Sequence, residues 1–285
     1  MTKMQEEKKP QTKCQSEFGQ LRHVVVCPPA YMEIRKIINE TQKHYLNHNI
    51  DTDLAMKQHG DFVKALRDHG VDVMSLPAHK EFNEQVYTRD IGFCIGDTLF
   101  VSNMEDDIRK GETKILKEWL EEQDLTYKGI TEGTIEGGDV VVDGRRVWIG
   151  LSKRTDEKAV QQVQELLPEY EVLPVRIRED ILHLDCVFNL VREDLAILYP
   201  DAFEQEDLER FRKLYKTIEI SEEEQFYMGT NILSFAQDKL LSLPSNKRVN
   251  EALRKEGVTV IEVNFSEIIK SGGSFRCCSM PLQRQ

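Results

Sequence analysis

The 285-residue sequence has no uninterrupted apolar run of about 18 residues, so no membrane-spanning helix is expected. Residues 1–16 are polar and charged, without the apolar centre that a secretory signal needs. Residues 1–17 therefore read as a disordered lead-in to a single domain over 18–285. Basic charge is also short: 38 Lys and Arg stand against 50 Asp and Glu, a formal net charge of −12. That balance argues against nucleic acid and anionic membranes, both of which reward basic surfaces, and is compatible with a cationic ligand. The six cysteines (14, 27, 94, 186, 277 and 278) form no paired framework and no Cys-x-x-Cys. The spacing implies a reducing, cytoplasmic compartment and favours neither a metal nor any other cofactor. No stretch marks an interface, which leaves a homo-oligomer open.

What the chain does have is a repeat. Apolar strand-like runs at Val24–Val26, Leu99–Val101, Val147–Ile149, Leu195–Leu198 and Leu240–Leu243 are each followed by an amphipathic helical pattern. Phe62, Val63 and Leu66 mark the first helix, and Val160, Val163, Leu166 and Leu167 the third. Gly70 and Gly257 stand where helix-terminating glycines belong. A further strand follows each helix: Val71–Leu76, Tyr127–Ile130, Glu171–Ile177, Thr217–Ile220 and Val258–Val263. Between units lies another, at Gly92–Ile95, Val140–Val142, Val187–Val191, Ile232–Ala236 and Cys278–Leu282. The period is about 47 residues.

Five such units predict a ring, a five-bladed pseudo-symmetric α/β propeller, closed by pairing the last strand with the first so that two sheet edges disappear. A doubly wound open sheet is the rival topology, but the short paired strands between helices count against it. The polar stretch 31–56 is extra to the first unit and is placed to be either a lid or plain surface.

Chemically capable residues stand in register just before successive inter-unit strands. They are Asp90 in Thr88-Arg89-Asp90, Glu136 opening Glu136-Gly137-Gly138-Asp139, His183 opening His183-Leu184-Asp185, and Cys277 after Ser271–Arg276. Gly229 takes the skipped position. Singly, each has a bland explanation: a turn carboxylate, a satisfied His–Asp pair, a small core cysteine. In register on a ring they converge on one cavity.

The set suits a guanidinium, a planar cation whose N–H groups match carboxylates at two points. Asp90, Glu136 and Asp185 would bracket it. Cys277 as thiolate would attack its unreactive carbon, while His183 protonates the departing amine and then takes a proton from water.

These motifs resemble those of the guanidino-group-modifying enzymes of the pentein fold: arginine deiminases, dimethylarginine dimethylaminohydrolases and amidinotransferases. The resemblance covers the chain after about residue 17, and its size fits the dimethylargininase-like branch. It implies the five-unit ring and a small-molecule guanidino substrate. It also implies guanidinium binding by Asp90 and Asp185, and a Glu136 that shares this work and supports His183. His183 becomes the general acid/base and Cys277 the nucleophile. Gly150-Leu151-Ser152-Lys153-Arg154-Thr155 resembles a deiminase motif whose arginine holds the substrate carboxylate, which implicates Arg154. Six positions before Asp90, where similar deiminases carry an asparagine, stands Glu84, an acceptor-only carboxylate at neutral pH that suits an amine.

The expected reaction is hydrolysis of a linear amidine (arginine, methylated arginine or a relative) to a ureido product, through a covalent thiouronium on Cys277. The alternative is an amidinotransferase, in which an acceptor amine intercepts that intermediate. A reading from another class, a ring that only binds, like a ribosome anti-association factor, has no use for the thiol, the histidine and the acidic set.

Overall fold

The computed structural model describes residues 11–285. In chain order its strands are β1 (Leu21–Val26), β2 (Asp72–Ser75), β3 (Gly92–Ile95), β4 (Thr98–Val101), β5 (Lys128–Gly129), β6 (Val140–Asp143), β7 (Arg146–Leu151), β8 (Glu171–Arg176), β9 (Phe188–Arg192), β10 (Leu195–Leu198), β11 (Lys216–Glu219), β12 (Leu233–Ala236), β13 (Lys239–Ser242), β14 (Thr259–Glu262) and β15 (Met280–Arg284). They form five three-stranded sheets: β15-β1-β2, β3-β4-β5, β6-β7-β8, β9-β10-β11 and β12-β13-β14.

Every sheet has the same plan. Its middle strand pairs antiparallel with one neighbour and parallel with the other, which returns after a helix. A parallel return needs a crossover, and helices Thr52–Asp68, Glu112–Glu122, Glu157–Leu166, Gln205–Leu214 and Lys247–Lys255 supply it. Gly70 and Gly257, with φ of 78° and 81°, let the chain turn after the first and last of them.

Burial follows from this plan. The antiparallel strands β3, β6 and β15 are buried at every residue, because sheet lies on both sides of them. The parallel strands β2 and β11 keep exposed positions. Sheets meet where β15 lies beside β3, β6 beside β9, β9 beside β12 and β12 beside β1. The Asn103–Ile135 bridge and the turns at 88–91 and 137–139 join the second sheet to the third, so the contacts run round in a circle. The predicted pairing of last strand with first is the β1–β15 ladder, with Val24 opposite Pro281. The fold is therefore the five-bladed α/β propeller, not the open sheet. Aromatic stacks fill the spaces under the helices, as Phe188 on Phe211 and Phe265 on Phe275.

One boundary needs correction. Residues 1–10 of the expected disordered lead-in lie outside the described residues, but 13–17 are tied into the fold. Lys13 donates its amide to Leu282, Cys14 exchanges both backbone bonds with Gly96, and Ser16 bridges to Asp143. Glu17 is buried. Hydropathy could not show this, because what holds the segment is backbone pairing and a buried charge.

The 31–56 stretch lies against the axial end of the ring and contains a short helix, Glu40–Tyr45, capped by Asn39. Among the described residues no helix is long and apolar enough to cross a membrane.

Candidate active site

The buried strands around the axis are entered through tight turns at one end of the ring. A single helical turn, Thr88–Ile91, carries Asp90 into β3. Turns at Gly137–Asp139 and Leu184–Cys186 follow Glu136 and His183 into β6 and β9. Asp139 fastens two of these turns by accepting from Ser152 Oγ and Thr155 Oγ1 at 2.7 Å each and from Leu184 N at 2.9 Å. Burial raises its carboxyl to about 6 despite those donors. Its role is structural. Gly138 is required by close approach: a Cβ there would lie 2.7 Å from His183 Nδ1 and 2.9 Å from Asp90 Oδ1.

Asp90, Glu136, Arg154, His183 and Cys277 all line one cavity. The cavity is small, with ≈ 10 Å³ of free space, and Ile38 and Asn39 of the 31–56 stretch form part of its wall. Asn39 Nδ2 donates to Ser271 O at 2.9 Å and Arg154 Nη2 to Ile38 O at 3.2 Å. Gln42 Nε2 donates to Glu84 Oε1 at 2.8 Å and to Ser271 Oγ at 2.7 Å. Glu84 therefore stands on the wall beneath the Ile38–Gln42 roof, and burial raises its carboxyl to about 7.

His183 Nε2 lies 2.8 Å from Glu136 Oε2, and its Nδ1 is 3.6 Å from Asp90 Oδ1. Burial by itself would lower this histidine's pKa. Asp90, the hydrogen bond to Glu136 and the Asp139 charge instead hold it up to about 10. Glu136, although buried, is held below its ordinary range by the same hydrogen bond and the His183 charge. Burial raises Asp90, which His183 and Arg109 pull back down. Arg109 Nη1 donates to Asp90 Oδ2 at 2.6 Å, and its Nε and Nη2 clasp Glu112. Asp90 Oδ1 and His183 Nδ1 face each other at 3.6 Å, too far for a hydrogen bond, and neither has another hydrogen-bond partner.

The Cys277 thiol receives a hydrogen bond from Asn231 Nδ2 at 3.0 Å. Asn231 Oδ1 accepts from the Ser274 and Cys277 amides, so one side chain fixes both the loop and the sulfur. Asp185 does not line the cavity. Its Oδ2 accepts from Arg276 Nη1 at 2.6 Å and lies 3.6 Å from Cys277 Sγ. The neighbouring arginine, itself fully buried, claims the carboxylate that the motif alone assigns to substrate.

Sequence reasoning missed Arg109, Asn231 and Arg276. Asn231 had a signal, since it stands two residues beyond Gly229 in the skipped register. Arg109 had none, because it reaches the axis from the stretch before the second helix.

Atoms of Asp90, Glu136 and His183 lie within 4.8 Å of one another, close enough to share a small cation, although the Glu136–His183 hydrogen bond already uses one pair. His44 and His48 have the four-residue spacing of a helical metal pair. The helix ends at Tyr45 between them, and His44 packs edge-on to Phe226. Burial holds the thiols of Cys27, Cys94 and Cys278 above their ordinary range.

Residues 28–284 match the family model described as N,N dimethylarginine dimethylhydrolase, eukaryotic. The uncharacterised Bacillus subtilis (strain 168) protein YkgA is 47% identical over 273 residues, 96% of each chain. The Pseudomonas aeruginosa N(G),N(G)-dimethylarginine dimethylaminohydrolase is 25% identical over 265 residues, covering 91% of this chain and 98% of its own. Among solved structures, the N-terminal domain of ArgZ, an arginine dihydrolase from cyanobacteria, superposes with a TM-score of 0.85 at 22% identity, over 92% of this chain and 98% of that one. SxtG, an amidinotransferase from Microseira wollei, does so at 0.83 and 16%, over 96% and 97%. The last two likenesses concern the fold.

Proposed function

Because the chain belongs to the N,N dimethylarginine dimethylhydrolase family, we propose that it hydrolyses a C–N bond in a guanidino compound related to arginine, with Cys277 as nucleophile. The observation that carries this reading is the unpartnered pair Asp90 Oδ1 and His183 Nδ1, buried on the wall of the cavity that also holds the thiol. Buried polar atoms are almost always satisfied, so Asp90 Oδ1 is left to accept from a ligand N–H, and the His183 Nδ1–H to donate toward the ligand's departing nitrogen.

A guanidinium placed in this cavity gives N–H bonds to Asp90 and Glu136 on one edge. Arg154, whose side-chain partners Glu136 and Asp106 lie at 3.5 and 4.0 Å, takes the substrate's carboxylate. Cys277 Sγ, as thiolate with the Asn231 amide on it, bonds to the guanidinium carbon. His183, an imidazolium at neutral pH with its pKa at about 10, gives its proton to the departing nitrogen as that C–N bond breaks. The amine leaves and an S-linked thiouronium remains. His183, now neutral, takes a proton from water, the hydroxide adds to the same carbon, and the C–S bond breaks as the new hydroxyl gives up its proton to the departed amine or solvent, releasing the ureido product and the thiolate. With ≈ 10 Å³ free, no substrate enters until the Ile38–Gln42 roof lifts, so the 31–56 stretch acts as a lid.

The test is a screen of arginine, its mono- and dimethyl forms, agmatine and short guanidino acids, with ureido product and amine measured separately. Turnover of at least one compound, abolished in Cys277→Ser with substrate binding kept, is expected. Full turnover by Cys277→Ser would overturn the assignment. Product that forms only when glycine or ornithine is supplied would show amidino transfer instead.

A further inference from the structure

Beneath the cavity, on the side away from the roof, lies a buried cluster of charges that the reaction above does not use. Glu17 enters it from the segment before β1, held by its own amide on Val142 O at 3.0 Å. Its Oε1 accepts from Arg89 Nη2 at 2.6 Å and Val142 N at 3.2 Å, and pairs with Arg276 Nη2 at 3.2 Å. Arg89 donates Nε to Gly137 O and Nη2 to Val140 O. Arg276 donates Nη2 to Val140 O at 2.8 Å and Nη1 to Asp185 Oδ2. All four side chains are at most 5% exposed.

Stability is a weak reason for such a cluster. Buried ion pairs cost so much desolvation that apolar replacements of the same volume often do as well. The cluster has another property: each arginine adjoins one reactive residue and grips the turn of another. Arg89 precedes Asp90 and holds the residue after Glu136. Arg276 precedes Cys277 and holds Asp185, two residues past His183. The Arg89 amide also donates to Cys277 O at 3.0 Å.

We infer that Glu17 and Arg276 are positioning residues: Glu17 holds Arg276, and Arg276 holds Asp185 and its charge against the Cys277 sulfur. The N-terminal segment is thereby part of the active site's support. This rests on Cys277 being the nucleophile.

The charged and titratable groups around the thiol are Asp185, Cys186, Arg276, Tyr87 and Cys278, with His183 across the cavity. Those around Glu17 are Arg89, Arg276 and Arg284, which hold its carboxyl down to about 2 against burial. Glu17 is the anion that offsets Arg276 from below. Removing its charge without its shape leaves more of the Arg276 charge for the sulfur, which favours the thiolate.

The experiment is the pH dependence of Cys277 alkylation by iodoacetamide in the full-length protein, followed by peptide mass spectrometry, beside a thermal melt. In Glu17→Gln the half-maximal pH moves down by on the order of one unit, and in Glu17→Asp it stays at the wild-type value. Arg276→Gln moves it up, and that shift decides alone if Glu17→Gln does not fold. A lower melting temperature with an unmoved profile in Glu17→Gln would make the cluster merely structural and overturn the inference, as would shifts of the opposite sign. Alkylation needs no substrate, so this failure is distinct from a failure of the proposed reaction, which turnover by Cys277→Ser would reveal.

Discussion

Replacing Glu136 with glutamine removes one charge and keeps the shape of the group 2.8 Å from His183 Nε2. His183 stands at about 10 against an ordinary 6.5, raised by Asp90, Glu136 and Asp139 together. A unit charge near 4 Å at an effective dielectric of about 20 is worth ~4 kcal/mol, or about three pH units as an upper bound. With three anions sharing the effect, Glu136→Gln should lower the His183 midpoint by about one to two units.

The assay is NMR titration of 13C-labelled histidine, with the His183 signal identified by its absence in His183→Gln. No substrate is needed. A wild-type midpoint near 6.5, or one unmoved by Glu136→Gln, would refute the electrostatic account. Stability carries the same sign. A histidine with a raised pKa stabilises the fold fully below pH 6.5 and loses that contribution as pH rises toward 10. Glu136, held below its ordinary 4.5, contributes above that pH and loses it on further acidification. The penalty of Glu136→Gln is therefore greatest between about pH 4.5 and 6.5. It should be about 2–4 kcal/mol there, below the ~3–5 of losing a buried partner outright, since the amide still hydrogen-bonds.

Asn231→Ala removes the donor to the thiol and the acceptor for two loop amides, so kcat should fall about 10–100-fold and stability by about 1–3 kcal/mol, read from steady-state kinetics and urea melts. Glu84, raised to about 7 by burial, holds its proton more tightly folded than unfolded, so stability should drop between pH 4.5 and 7. Glu84→Gln should remove the part of that drop above pH 6, where Asp139 no longer contributes, and melts across this range check it. Gly138→Ala should displace His183 and crowd Asp90 Oδ1, cutting turnover at least 10-fold and raising KM as well, because the new Cβ would overlap both; unchanged kcat would contradict the close approach.

Much of this molecule was legible in its sequence, and the reason is symmetry. Each unit repeats the change from apolar strand to amphipathic helix, so weak local signals add up over five copies. All fifteen strands were foreseen to within a few residues, and so was the β1–β15 closure, because two unpaired edges in a ring must meet. The same register marks Asp90, Glu136, His183 and Cys277, and the fold brings them to one cavity.

What the sequence could not decide was which charges the interior would pair. Asp185 reads as a substrate ligand in its motif, but only the tertiary structure sets Arg276 against it. The lead-in reads as disordered, yet Glu17 is anchored by arginines 72 and more residues away. Arg109 and the Ile38–Gln42 roof belong to no repeat, so periodicity could not place them. Hydrophobic burial, being non-directional, follows pattern and is written locally along the chain. The pairing of buried charges depends on which side chains the closed ring brings within about 3 Å, and that is fixed only once the ring has closed.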